Sequence, residues 1–265
     1  MIPKIIHYCW FGGAPLPEFA QKCIASWKKI CPDYRIKEWN ESNFDVSFCD
    51  FAKEAYESKK WAFLSDCARL YIIYHEGGIY LDTDVELIRP LDEFLDNKAF
   101  LGEETTGAVA TGLGFGAEAK NPIIGELIQE YFGRHFKLQD GMLDMEPCPK
   151  KNTEPLLKYG YQYSGKDIWR IPDVTVYPPE YFCPLNYETQ KLNITRNTVS
   201  IHHFVATWHT PLEKVIIKIE RCDFRKHPIE YRFRRCVSFP LRVVNKIQKL
   251  GLLNTIKFVI RKVKG

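Results

Sequence analysis

Two aspartates one residue apart close the run Gly77-Gly78-Ile79-Tyr80-Leu81-Asp82-Thr83-Asp84 and present carboxylates at the end of a short apolar strand. Hard cations such as Mg²⁺ and Mn²⁺ favour such oxygens, and they hold phosphate-bearing ligands through one or two protein carboxylates while ligand oxygens and water complete the shell. The pair therefore points to a divalent cation and a phosphate together. Alone, an Asp-X-Asp triplet after a strand is also an ordinary solvated turn, so its neighbours decide. In the preceding segment, Ser65-Asp66-Cys67-Ala68-Arg69 puts Asp66 and Arg69 three residues apart, on one face of a helix. They read either as a surface ion pair worth under about 1 kcal/mol or as a unit in which Asp66 accepts from hydroxyls and Arg69 donates to sugar or phosphate.

These residues need a scaffold that brings them together. The spacing predicts a helix over 58–76 with Ala62, Leu70, Ile73 and Tyr74 facing inward, ended by Gly77-Gly78 and followed at once by a strand over 79–81. Upstream, 2–8 and 34–39 read as strands around a helix over 18–30 that places Phe19, Cys23, Ile24 and Trp27 on one face. Downstream, strands are expected over 85–88, 99–101, 171–177 and 199–206 and a helix over 121–136, whereas 139–165 reads as an irregular loop near an open cleft. Alternating strands and helices predict a mainly parallel sheet, and in such sheets ligands collect beyond the carboxyl ends of the strands, where Asp82 and Asp84 would sit.

With 265 residues, 45% of them hydrophobic, the chain can bury one large α/β core, which excludes disorder as its main state. Nine cysteines without a CxxC pair suggest neither a disulfide framework nor a zinc site, and a reducing compartment is expected. The N-terminus lacks a leader pattern, and no run approaches the roughly 20 apolar residues that span a bilayer. These features predict a cytoplasmic protein, soluble or peripheral on the inner face of the cell membrane. The net charge of +4 is uneven: 213–265 holds fifteen Lys and Arg against four Asp and Glu. There, Val243, Ile247, Leu250, Leu253, Ile256, Ile260 and Val263 recur at three- and four-residue steps among Arg242, Lys246, Lys249, Lys257 and Arg261. The expected division is a domain over 1–212 and a basic amphipathic helical tail over 213–265 that lies on an anionic membrane or packs on protein. No nucleic-acid reader motif accompanies the charge, so nucleic acid is not an expected partner.

The segment from Trp61 to Leu91, FLSDCARLYIIYHEGGIYLDTDVELIRPL after Trp61-Ala62, resembles the hallmark of glycosyltransferase family 32. That family of sugar transferases with the Asp-X-Asp signature includes fungal outer-chain mannosyltransferases and bacterial capsular-polysaccharide enzymes, and its core is shared by the glucosylating toxins of clostridia. IPKIIHYCWFGG, VYPPEYFCPLNY and HHFVATWH match in the same order, so the resemblance spans most of residues 1–209. It implies a GT-A-type nucleotide-binding fold with a mixed, mainly parallel sheet. It further implies retaining transfer, aided by Mn²⁺ or Mg²⁺, from a nucleoside-diphosphate sugar, with UDP-sugars favoured over GDP-mannose. The acceptor would be a saccharide or lipid-linked saccharide in capsule, exopolysaccharide or glycolipid synthesis.

Residue by residue, the resemblance implies that Trp10 stacks on the base, although a core Trp beside a turn would read the same. Asp66 and Arg69 would contact ribose and donor sugar, and Tyr80 either the nucleotide or only the core. Asp82 would reach ribose and metal-bound water, and Asp84 the metal itself. His203 would be ligand or phosphate contact, with Thr207 and Trp208 beside it, while His202, on the opposite strand face, would be structural. Asp140, Asp144, Glu103 and Glu104 are conceivable nucleophiles, none favoured. Where relatives carry a Thr-Gly-Pro acceptor-side motif, this chain has Met145-Glu146-Pro147-Cys148-Pro149, which leaves acceptor binding open. A haloacid-dehalogenase phosphatase is disfavoured by Glu86, because that family has Thr or Val there. A non-catalytic saccharide- or membrane-binding module on the same fold is the remaining alternative.

Overall fold

The computed structural model describes residues 1–205, 210–222 and 226–251, in two compact units. The first, Met1–Asn186 with Leu192–Val205, begins as the alternation predicts: β1 (Ile5–Cys9), α1 (Glu18–Ile30), β2 (Arg35–Trp39), α2 (Asp50–Glu57), α3 (Trp61–Glu76) and β3 (Gly78–Tyr80). It continues through β4 (Val85–Leu87), β5 (Ala99–Gly102), β6 (Phe115–Ala117), α4 (Pro122–Gln129) and α5 (Cys148–Leu157). β7 (Trp169–Ile171), β8 (Val174–Tyr177), α6 (Pro179–Phe182) and β9 (Ser200–His202) complete it.

Seven strands form one sheet in the order β2-β1-β3-β6-β5-β8-β7, and β4 pairs with β9 in a separate ribbon. β1, β2, β3, β5 and β8 share one direction while β6 and β7 run against them, so the sheet is mixed and mainly parallel, as expected. Strand alternation feeds two apolar clusters: Tyr80 and Leu101 join one with α2, α3 and α4, and Ile79 and Phe100 join another with Trp27 of α1. Gly78, at φ 98°, lies so close to β1 that a Cβ there would meet Ile5 O and His7 Nε2 at 2.8 Å. Only glycine lets β3 start this tightly against its neighbour.

Several boundaries depart from the sequence expectation. The helix expected over 58–76 begins at Trp61, because Lys59 takes a positive φ of 54° and separates α3 from the unforeseen α2. Phe19 is 38% exposed, whereas Ala20, Cys23, Ile24 and Trp27 are the buried residues of α1. The strand expected over 171–177 is a hairpin, β7 and β8, turned at Asp173 with φ 63°. The segment 139–165 is not all loop, since α5 lies inside it.

The second unit is described over 187–191, 210–222 and 226–251. Its α7 (Pro211–Glu220) opens on a capping box between Thr210 and Glu213, and α8 spans Pro228–Leu250. Helix therefore starts well before the apolar repeat at 241–263, most of which lies outside the described residues. No described helix is long and apolar enough to cross a membrane.

Candidate active site

α3 delivers the first two groups. Arg69 is almost completely buried, and its Nη2 donates to Asp66 Oδ1 at 2.6 Å and stands 3.5 Å from Asp82 Oδ1. The pair is thus no surface ornament, and removing one member of a buried ion pair costs about 3–5 kcal/mol because the other charge is left uncompensated. Burial would lower the Arg69 guanidinium, but Asp82 and Asp66 outweigh it and hold it well above its ordinary value. Burial raises the Asp66 carboxyl, partly offset by Arg69.

β3 delivers the carboxylates. Tyr80 is fully buried, with its ring 5.1 Å under the Arg69 guanidinium and its hydroxyl donating to Asp82 Oδ1 at 3.1 Å. Of the two expected places for Tyr80, nucleotide or core, its side chain lies in the core, where it orients Asp82. Oδ2 of Asp82 faces Gly112, whose backbone is not strained but has no room for a side chain. A Cβ there would collide with Asp82 Oδ2 and come within 2.9 Å of Arg69 Nη1. Burial raises the Asp82 carboxyl, with Arg69 opposing it and Asp84 adding to it.

The β4–β9 ribbon brings in the imidazole. Its register sets Val85 opposite His202, and His202 Nε2 lies 3.2 Å from Asp84 Oδ1 while the Val205 amide donates to Asp84 Oδ2 at 2.9 Å. Burial would raise the Asp84 carboxyl, but the His202 charge and these hydrogen bonds bring it down to about 2. Burial would lower His202, and Asp84 overrides it, so the imidazole is raised. His203 turns away, to Glu86 Oε2 at 2.9 Å and to the edge of Phe19. His202, expected to be structural, is thus the histidine whose imidazole stands at Asp84, and that of His203, expected there, stands at Glu86. Alternation put them on opposite faces correctly, but which face meets Asp84 is set by pairing with β4. α1 steadies this ribbon, because Trp27 Nε1 donates to Val85 O at 2.7 Å and Ser26 Oγ accepts from the Leu87 amide at 2.9 Å.

Asp82, Asp84 and His202 each offer one ligand atom, all within 4.8 Å of one another, and His202 Nδ1 is buried without a hydrogen-bond partner. Two carboxylates and one imidazole are a donor set for a divalent cation. Trp10, half-buried, follows β1 on the same sheet edge, its Nε1 donating to Ala14 O at 2.5 Å. Thr207 and Trp208 lie outside the described residues. Of the conceivable nucleophiles, Glu103 is completely buried and Asp144 lies 3.3 Å from Lys151 Nζ.

Residues 17–101 match the family described as the glycosyltransferase sugar-binding region containing DXD motif. Over these residues the chain is similar to the DXD glycosyltransferases. Its relatives include inositol phosphoceramide mannosyltransferase 1 of Schizosaccharomyces pombe, 26% identical over 48% of this chain and 42% of the relative. Mannosyl phosphorylinositol ceramide synthase CSH1 of Saccharomyces cerevisiae is 30% identical over 52% and 36% respectively. The chain thus spans about two fifths of the length of these relatives. Among solved structures, the PaToxG glycosyltransferase aligns over 59% of this chain and 69% of its own at 20% identity and a TM-score of 0.46. A glycosyltransferase involved in glycosylation of the PBCV-1 major capsid aligns over 77% and 95% at 15% identity and a TM-score of 0.45. The DXD of the family is Asp82-Thr83-Asp84, and the buried Asp66–Arg69 pair stands beside it inside the matched glycosyltransferase region.

Proposed function

We propose that the chain transfers a sugar, in a metal-dependent and retaining reaction, from a nucleoside-diphosphate sugar to a saccharide or lipid-linked saccharide. The observation that carries this reading is the convergence of Asp82, Asp84 and His202 beside the Asp66–Arg69 pair. In it, Asp84 and His202 hold the cation directly, and Asp82, kept in place by Tyr80 and Arg69, reaches the cation and the ribose. When bound, Mn²⁺ or Mg²⁺ supplies positive charge against the diphosphate as negative charge develops on that leaving group. Asp66 accepts hydroxyls of the donor, Arg69 donates to sugar or phosphate, and Trp10 stacks on the base. UDP-sugars remain the favoured donors. The relatives named for mannosyl transfer and for inositol phosphoceramide add GDP-mannose and a glycolipid acceptor to the panel. α8 is read as a membrane-surface element that would bring the enzyme to such an acceptor.

The test is thermal stabilisation by uridine, guanosine and cytidine diphospho-sugars with and without Mn²⁺, followed by transfer assays with the donor that binds. A ligand at about 100 times its Kd adds roughly 2.7 kcal/mol, which moves the midpoint by several degrees. Wild type should respond to one nucleotide class only with Mn²⁺, and Asp84→Asn should stay folded, lose the Mn²⁺ dependence and lose transfer. No response from any donor in a folded, metal-loaded sample would favour the non-catalytic module.

A further inference from the structure

One backbone segment, 109–112, abuts the Asp82 carboxylate. Gly112 O accepts from the Asp82 amide at 3.3 Å, and a Cβ at Gly112 would collide with Asp82 Oδ2 and come within 2.9 Å of Arg69 Nη1. Any shift of this backbone therefore moves the carboxylate or opens a gap beside it. Two consecutive residues of α5 hold the segment. Asn152 Nδ2 donates to Thr111 Oγ1 at 3.1 Å, and Thr153 Oγ1 accepts from the Val109 amide at 2.9 Å while donating to Pro149 O at 2.6 Å. Thr111, Asn152 and Thr153 are all buried. Among the described residues Asn152 Oδ1 has no partner, so the carboxamide makes its hydrogen bond to Thr111 alone. A buried amide with an unmade hydrogen bond costs stability that an apolar side chain of similar shape would not. What this amide secures is the residue next to Gly112.

We propose that Asn152 is a positioning residue for Asp82: by holding Thr111 it keeps the Gly112 backbone against the Asp82 carboxylate and so fixes the orientation in which that group meets the cation and the ribose. Asp82 is then held at Oδ1 by the Tyr80 hydroxyl at 3.1 Å, at Oδ2 by the Gly112 backbone, and at its amide by Gly112 O. α5 thus acts on the carboxylate through a loop. The proposal rests on the sugar-transfer reading above for what Asp82 does, and its test separates the two.

The experiment is direct Mn²⁺ titration of the full chain and its variants. Thr111→Val keeps the side-chain shape but removes the acceptor, and Asn152→Ala removes the donor. Each should weaken Mn²⁺ binding roughly three- to tenfold, the effect of one hydrogen bond, and the double variant should be no weaker than either alone. Thr111→Ser keeps the acceptor and loses a methyl group, and should stay within about twofold of wild type. Packing alone would rank valine above serine. That ranking, additive single variants, or wild-type affinity in Asn152→Ala overturns the proposal, and the Thr111 pair carries the comparison if Asn152→Ala does not fold. Hydrogen exchange of the Asp82 amide needs neither metal nor activity. Relative to the amides of β2, it should speed several-fold in Thr111→Val and Asn152→Ala but not in Thr111→Ser, and an unchanged rate overturns the hold of Asn152 on Gly112. A wild-type chain that binds no Mn²⁺ or transfers no sugar fails the function reading alone, because exchange of the Asp82 amide still decides the positioning.

Discussion

The side chains of His202 and His203 divide a task that their adjacency conceals. His202 stands against Asp84 with one ring nitrogen and keeps the other without a partner, whereas His203 is engaged by Glu86 and Phe19. If His202 completes the cation site, His202→Ala should weaken Mn²⁺ binding at least about tenfold, in line with the effect of changes around metal ligands, while His203→Ala should stay within about twofold. Direct Mn²⁺ titration of both variants reads this out, and the reverse ranking would restore the original assignment. Asp84 contrasts with Asp82: one carboxyl is drawn down by the imidazole, the other pushed up by burial beside it. Two neighbouring carboxylates thus hold different electrostatic positions because one faces His202 and the other the floor made by Tyr80 and Arg69.

Helix α5 and the strand end after β5 show how an element can bury polar side chains without a periodic signal. α5 carries Pro149 in its first turn and Pro155 in its interior and buries Lys151, Asn152 and Thr153 beside Leu156, so its inward face is mostly polar and no apolar repeat marks it. Beyond it, Tyr161 closes on Glu103, which is completely buried after β5. The Tyr161 hydroxyl has one proton and two acceptors in reach, Gly107 O at 2.6 Å and Glu103 Oε1 at 2.8 Å. Burial pushes the Glu103 carboxyl up to about 7 from 4.5, with Tyr161 and the Gly165 amide opposing it. A folded value above the unfolded one stabilises fully below about pH 4.5 and is lost as pH rises through about 7. Urea unfolding should therefore lose on the order of 2 kcal/mol between pH 5 and pH 8, and Glu103→Gln should remove that slope. An identical slope in the variant would place the titration elsewhere.

As a whole, the chain combines a sheet-based unit that holds every described site residue with a second, basic helical unit. In the latter, Ile229, Phe233 and Val237 recur every four residues along α8, and all three are more than half exposed. Arg235, Arg242 and Lys246 lie on the same helix. An interfacial helix combines such a stripe with cations, each basic residue adding roughly 1 kcal/mol near an anionic surface. The full chain should co-sediment with phosphatidylglycerol vesicles more than with phosphatidylcholine ones, and less so at high salt. Replacing Ile229, Phe233 and Val237 by Ser together should weaken this at least about tenfold. Equal sedimentation of wild type and variant would leave α8 to pack on protein.

The sequence by itself determined the Asp82–Asp84 pair at a strand end, Asp66 and Arg69 on one helical face before it, and the strand–helix alternation that makes a mainly parallel sheet. Each of those signals is local, because spacing within one helix or strand dictates which residues share a face. Only the tertiary structure decided that the imidazole of His202 rather than that of His203 meets the Asp84 carboxylate, and that Tyr80 serves Asp82 from the core. The phase of one element against another depends on hydrogen bonds and packing between residues far apart in the chain, such as Val85 with His202 and Thr111 with Asn152. Periodicity within a single segment carries no record of those partners.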